Sequence, residues 1–235
     1  LESLDNVYED AGYEPAGIAL ADSYTTAIQT MLSVDFVVDL PYNIPSDGQV
    51  RAITLRTFGL KADFVYYAAP KVDADAFLIA YISDWAKEQL LPGPSNIFMG
   101  DAYMGASFLQ PGYGRDTLEI AFGRDKMVQL KREMLQGETK KSVLSGKRRH
   151  EFAFETTVRN LHKSEIKLVL EDQIPIPQFG TDIEVIAGNL GGATHNIKSG
   201  LLTWELTMPA NAVEVRKFSF EIRHNAKEIV EPLPY

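Results

Sequence analysis

The sequence predicts an all-β chain made of two consecutive antiparallel β units, the second an immunoglobulin-like β-sandwich. Three observations carry this. Apolar and polar residues alternate with period two in run after run. Gly, Pro, Asn and Asp turn signals recur at short, regular spacing. The last hundred or so residues hold about seven such runs with a core-facing Trp, the size of an immunoglobulin-like domain.

Residues 1–30 read as a leading segment or linker, because Ser3, Asp5, Asn6, Gly12, Pro15 and Gly17 carry turn chemistry. Ser23–Met31 fits a short helix or an early strand. Residues 31–122 form the first unit, sandwich-like or barrel-like. Val34, Phe36, Val38 and Leu40 alternate with Asp35, Val37 and Asp39, and Ser46-Asp47-Gly48 makes a turn. Val50–Phe58, Ala62–Ala69 and Ala76–Ile82 are apolar on both parities, as strands covered on both faces are. Pro92-Gly93-Pro94 breaks the chain before Asn96–Met99. Gly100-Asp101 turns into Tyr103–Leu109, and Thr117–Phe122 closes the unit.

A new unit, residues 123–235 with a C-terminal tail, is expected at Gly123-Arg124-Asp125. Met127–Leu135 is a strand, Gln136–Lys147 a polar hairpin loop and Arg149–Asn160 the return, with Phe152, Phe154 and Val158 on one face. Ile166, Leu168 and Leu170 keep the alternation; Asp182–Ile186, Leu201–Met208 and Val213–Arg223 complete the set. Trp204, Leu206 and Met208 share the core parity. In the last strand Val213 and Val215 are odd while Phe218, Phe220 and Ile222 are even, which calls for a β-bulge near Arg216-Lys217. Pro175 and Pro177 cannot donate ladder hydrogen bonds. The chain should therefore leave one sheet at Asp172-Gln173 and cross to the other before Asp182. Asp172 is expected to accept from backbone donors, so that Asp172→Asn costs less than Asp172→Ala, and Ile174 and Ile176 to point inward.

Composition bounds the function. A net charge of -9 argues against a nucleic-acid binder, and no apolar run reaches the length of a membrane span. The chain has no cysteine, hence no disulfide, thiolate metal site or cysteine nucleophile. It begins at Leu1 and is read as a piece of a longer protein whose targeting signal lies upstream.

Several strings form an ordered set: IPSDG (44–48), YYAAPK (66–71), Leu90–Gly93 with Asn96–Phe98, D-x-Y-x-G (101–105), DTLEIAFGRDK (116–126), TVRN (157–160), EDQIPIP (171–177), DIEV (182–185) and GLLTWEL (200–206). Together they resemble the C-terminal domain of the mucoidy-inhibitor, MuiA-like family of bacterial proteins. That domain has no known function, and the resemblance supplies no catalytic residue. It implies an upstream β region and coiled coil, an oligomeric full-length protein, residence in the bacterial periplasm or at the cell surface, and a link to exopolysaccharide. Residues 1–30 and the tail from His224 depart from the family pattern.

No residue set demands catalysis. His150, His162, His195 and His224 fall in no zinc or nucleophile spacing and read as solvated loop histidines. Gly188–Gly192 opens no helix, as a phosphate cradle would, and reads as a flexible loop. Asp73, Asp75 and Asp84 lack the register of a calcium loop. Lys140, Lys141, Lys147, Arg148 and Arg149 form a basic cluster that either guards a hairpin edge or meets an acidic glycan or headgroup. Trp85 and Tyr113 either stack on sugars or pack. Trp85, Tyr113, Lys147, Arg148 and Arg149 are thus the candidate ligand-binding residues; no catalytic residue, metal or cofactor is expected. The chain is expected to be a non-enzymatic interaction or structural module of an envelope or surface protein, with an envelope protein as partner. The alternative is a domain that binds or processes carbohydrate. An exposed aromatic platform with convergent acids would favour the alternative; an exposed edge or apolar patch would favour the module.

Overall fold

Alternating β-branched and aromatic residues make strands that must pair to satisfy their backbones. The computed structural model describes residues 25–29, 34–38, 43–49, 53–112, 117–136, 140–144, 147–177 and 182–225. The chain divides into two units, Leu1–Leu60 and Lys61–Tyr235.

In the smaller unit β1 (Thr25–Gln29) pairs antiparallel with β2 (Val34–Val38), so the early segment is strand. Asp47 Oδ1 accepts from Gln49 N at 3.1 Å, the turn chemistry expected there. Residues 53–60 are irregular, contrary to the strand expected over Val50–Phe58. Ile53, Leu55 and Phe58 each keep at least 36% of their surface in solvent, so the alternation has no covering face to drive pairing.

The larger unit contains β3 (Ala62–Ala68), β4 (Asp75–Ser83), a 3₁₀ turn (Trp85–Glu88), β5 (Gly93–Met99), β6 (Ala102–Leu109) and β7 (Thr117–Met134). There follow β8 (Lys140–Leu144), β9 (Lys147–Asn160), β10 (Ile166–Gln173), β11 (Glu184–Ala187), β12 (Thr194–Asn196), β13 (Leu201–Met208) and β14 (Val213–Asn225). Strands β5 and β6 form a separate hairpin. The others join one sheet in the order β11-β14-β9-β7-β4-β3-β10-β13-β12, with β8 also on β9. Among the described residues every pairing is antiparallel except β3 with β10.

This sheet folds over on itself as a sandwich. Trp204 of β13 lies 6.1 Å from Phe218 of β14, although five strands separate theirs in the sheet order. Phe154 stacks on Phe218 at 5.3 Å, and Leu168, Leu170, Leu202 and Met208 are almost wholly buried between the layers. Trp204 is buried, as its parity predicts, and its Nε1–H donates to Gly191 O at 3.0 Å. The chain changes layers after the Asp-Gln-Ile-Pro-Ile-Pro ending: β10 pairs with β13 and β3, whereas β11 pairs with β14 on the opposite layer.

Five expectations are corrected. The boundary near Gly123 is absent, because Gly123 lies inside β7, and β4 and β9 flank that strand in one sheet. The pattern break there comes from bulges. Phe122 is extra opposite Leu78/Ile79, and Lys126, Met127 and Val128 are extra opposite Asp75/Ala76; Gly123 has φ +94°. The last strand, in contrast, has no bulge: β14 pairs with β9 without a register break, its even residues face the core, and Val213 and Val215 simply lie on the exposed side. The expected loop over Gln136–Lys147 contains β8, which extends the hairpin with β9. Ile174 is buried, but Ile176 is 47% exposed: β10 ends at Gln173 and Pro175 separates the two, so the strand's alternation does not carry on to Ile176. Finally, strands β3 and β4 are not equally covered on both faces: Tyr66, Ala68, Ala76, Leu78 and Ala80 on one face are buried, while Val65, Tyr67, Phe77, Ile79 and Tyr81 on the other are only partly so.

The Gly188–Gly192 segment is packed and not a free loop. Gly188 N donates to Ser219 O and Ser219 N to Asn189 O, at 2.9 and 2.7 Å. A Cβ on Gly191, whose φ is +59°, would come within 2.3 Å of Lys217 O.

Candidate functional site

The long bulge of β7 builds the main polar cluster. Pushing three residues out of the ladder lets Asp125 close the turn, its Oδ1 accepting from Met127 N at 2.8 Å. Asp125 Oδ2 accepts the Tyr66 phenol proton at 2.9 Å and stands 3.0 Å from His162 Nε2. The same Nε2 is 3.0 Å from Tyr66 Oη. His162 is held by its backbone: its N–H donates to Asn160 Oδ1 at 2.9 Å, and Leu161 N donates to Met127 O at 2.8 Å. Asn160, itself fully buried, ties this corner to Ser164 O, Met208 O and Pro209 O. Burial, reinforced by Asp125, pushes the Tyr66 phenol well above its usual range, which makes it a proton donor and a poor nucleophile at neutral pH.

Two adjoining pockets open at this cluster. One, of about 530 Å³, is walled by Phe64, Tyr66, Met99 and Ile166; the other, of about 350 Å³, by Leu78, Met99, Met104, Phe122 and Met127; both reach Asp125 and His162. The rim cations are engaged. Arg124 pairs with Asp73 at 2.8 Å and Asp75 at 3.3 Å, and Lys126 with Asp75 at 2.6 Å. Arg124 holds the Asp73 carboxyl below its usual range. Tyr66, Asp125 and His162 were not among the candidates from sequence; the pattern break at Gly123–Asp125 is the signal that marked the place.

A second polar element crosses the sandwich. Arg132 of β7 donates through Nε to Asp172 Oδ2 at 2.7 Å, its guanidinium carbon lying 4.1 Å from the centre of the Phe154 ring. Asp172 Oδ1 accepts from Gln173 N at 2.7 Å, as expected, but its main partner is the guanidinium. At the neighbouring strand end the Tyr67 phenol donates to Glu171, and burial with this carboxylate pushes it up to about 12.

The candidates named from sequence do not converge. Trp85 is buried in the 3₁₀ turn and does not present a ring to solvent. Tyr113 lies outside the described residues. Lys147 and Arg148 are exposed near the tip of the β8–β9 hairpin, while Arg149 is drawn into ion pairs with Glu151 and Glu221 at 2.6 and 2.7 Å. The side chains of Lys140 and Lys141 lie outside the described residues. The histidines are not solvated loop residues as a group: His224 is buried on the core parity of β14 and stacks on His150 with ring centres 5.1 Å apart. Among the described residues no group of three or more His, Asp or Glu is placed to hold a metal ion. No helix among them is long and apolar enough to cross a membrane.

The hairpin β5–β6 carries a different surface. Its outward row is Pro94, Asn96 and Phe98 on one strand and Tyr103, Ala106 and Phe108 on the other, paired in register. Phe98, Tyr103 and Phe108 are each more than half exposed, and the Phe98 and Tyr103 ring centres stand 5.4 Å apart. The row carries no charge in a chain of net charge -9.

A family model described as "Domain of unknown function (DUF4139)" matches residues 7–226. No curated protein matches the chain. Among solved structures, the NMR structure of the folded domain of the Mycobacterium tuberculosis LppM protein is similar over 76% of this chain and 98% of its own, at 9% identity and a TM-score of 0.16, too slight a likeness to bear on function.

Proposed function

We propose, for a chain that belongs to the DUF4139 family of domains of unknown function, that it is a non-enzymatic interaction module of a bacterial envelope or surface protein, of the mucoidy-inhibitor kind its motifs resemble. It works in the periplasm or at the cell surface. The observation that carries the reading is the outward face of the β5–β6 hairpin, where Phe98, Tyr103 and Phe108 stay in solvent at a cost that an isolated domain has no reason to bear. The occupant is an uncharged apolar surface of a partner protein, because the row offers no cation to neutralise an acidic polysaccharide and no anion to meet a basic one.

Photo-crosslinking residues placed at positions 98 and 108 of the full-length protein, in its own cells, test this. A discrete protein adduct is expected at both positions and not at Val72, which is 86% exposed on the turn between β3 and β4. Equal labelling at all three would remove the reading. A second reading, carbohydrate binding, draws on Tyr103 Oη donating to Asn96 Oδ1 at 3.4 Å, an aromatic and an amide side by side as a sugar face requires. A glycan screen whose signal disappears in Phe98→Ala and Tyr103→Ala would favour it over the protein partner.

A further inference from the structure

The inward side of the same region holds a concentration of sulfur. Three of the six methionines of the chain, Met99, Met104 and Met127, line one pocket of about 350 Å³ together with His162. Their positions follow from the backbone. Met99 sits next to Phe98 on β5 and so points to the other face of the hairpin. Met104 is the extra residue of the bulge between the Ile97–Gly105 and Phe98–Tyr103 pairs. Met127 is the middle residue of the three-residue bulge of β7, fixed to the His162 loop through Leu161 N. Two irregularities, on different strands, thus bring methionines to the pocket that His162 also lines. All three methionines are 39–45% exposed, so they are not core fillers.

The imidazole is arranged as a ligand. Its Nε2 lies against the Asp125 carboxylate and the Tyr66 phenol, while Nδ1 is bonded to no described residue. A carboxylate at one ring nitrogen fixes the tautomer and raises the basicity of the other, the usual support of a metal-binding histidine. The charge nearby is also favourable: Arg124 and Lys126 are set against Asp73, Asp75 and Asp125, two cations against three carboxylates. Thioethers are soft and neutral, and they select soft monovalent ions over zinc, calcium or magnesium. We propose that Met99, Met104, Met127 and His162 form a binding site for a soft monovalent metal ion of the copper(I) class, oriented by Asp125 and Tyr66. The inference does not depend on the outward face of the hairpin.

The test is titration of the full chain, carrying methionine labelled at the ε-methyl carbon, with silver(I) in air and copper(I) without oxygen. Saturation at one ion per chain is expected, with the methyl signals of Met99, Met104 and Met127 moving and that of the buried Met208 staying in place. Replacing the three by Leu, a near-isosteric change at exposed positions, should abolish the response and leave the melting temperature unchanged. Asp125→Asn should weaken binding by about 10–100-fold, as loss of an orienting carboxylate does. Methyl signals that do not move, or binding retained by the triple Leu variant, would overturn the assignment.

Discussion

Consider Asp172→Asn. The side chains of Asp172 and Arg132 retain 1% and 9% of their surface, so the pair is enclosed between the layers. The carboxylate accepts from Arg132 Nε at 2.7 Å, from its terminal nitrogen at 3.3 Å and from Gln173 N at 2.7 Å. An Asn there keeps one oxygen and roughly the same volume but no charge. The guanidinium cannot give up its proton, so it stays charged and unpaired in the core. Breaking a buried pair from one side costs about 3–5 kcal/mol. Asp172→Asn and Asp172→Ala should therefore both fall in that range, in place of the smaller cost for Asn expected when only backbone donors are considered. In urea the midpoint should drop with little change in slope. At about 2–4 °C per kcal/mol the melting temperature should fall by roughly 6–20 °C. Changing both residues together, Arg132→Met with Asp172→Leu, should recover most of the loss, because an apolar pair leaves nothing unpaired. A single Asn variant that costs less than about 1 kcal/mol would mean that water reaches the pair and would refute the reasoning.

Trp204→Ala should destabilise by about 3–5 kcal/mol through lost burial and a cavity against Phe218, read from urea unfolding. Gly191→Ala should cost several kcal/mol, since a left-handed non-glycine residue alone costs about 1–3 kcal/mol and its Cβ would also meet Lys217 O; differential scanning calorimetry measures it. The Tyr67 phenol is pushed from 10.0 to about 12 in the folded chain, so the unfolded chain loses this proton first; stability fully present below pH 10 should be lost as pH rises towards 12, and Tyr67→Phe should flatten that alkaline limb of a melting-temperature profile.

The strands of residues 61–225 were largely legible because one parity of each is apolar. Leu168 and Leu170, or Trp204, Leu206 and Met208, declare a buried face before any partner is known. What misled were the two kinds of irregularity. A bulge interrupts the pattern in the middle of a strand, and at Gly123 it imitates a boundary; exposed β-branched residues such as Val213 and Val215 imitate a bulge. Sequence shows alternation but not which strands become neighbours, so Arg132 could not be assigned to Asp172, nor Tyr66 to His162. Methionine escaped notice for a related reason: metal spacings are read from His, Cys and acids close in sequence, whereas Met99, Met104 and Met127 are brought together by the fold.

The parallel pairing of β3 with β10 sets an order of events during folding. Tyr66, Tyr67 and Ala68 bond to Leu168, Val169 and Leu170, roughly a hundred positions later in the chain, and such contacts are slow to form. As the chain emerges from the ribosome, β3, β4 and β7 can pair early, yet the far edge of β3 stays open until β10 is made. During that interval the edge offers unpaired backbone groups beside Ala68 and Tyr66 to any other strand nearby. Productive folding therefore depends on the β10–β13 hairpin reaching β3 before a neighbouring chain does, and refolding yield should fall with protein concentration more steeply than equilibrium stability alone implies.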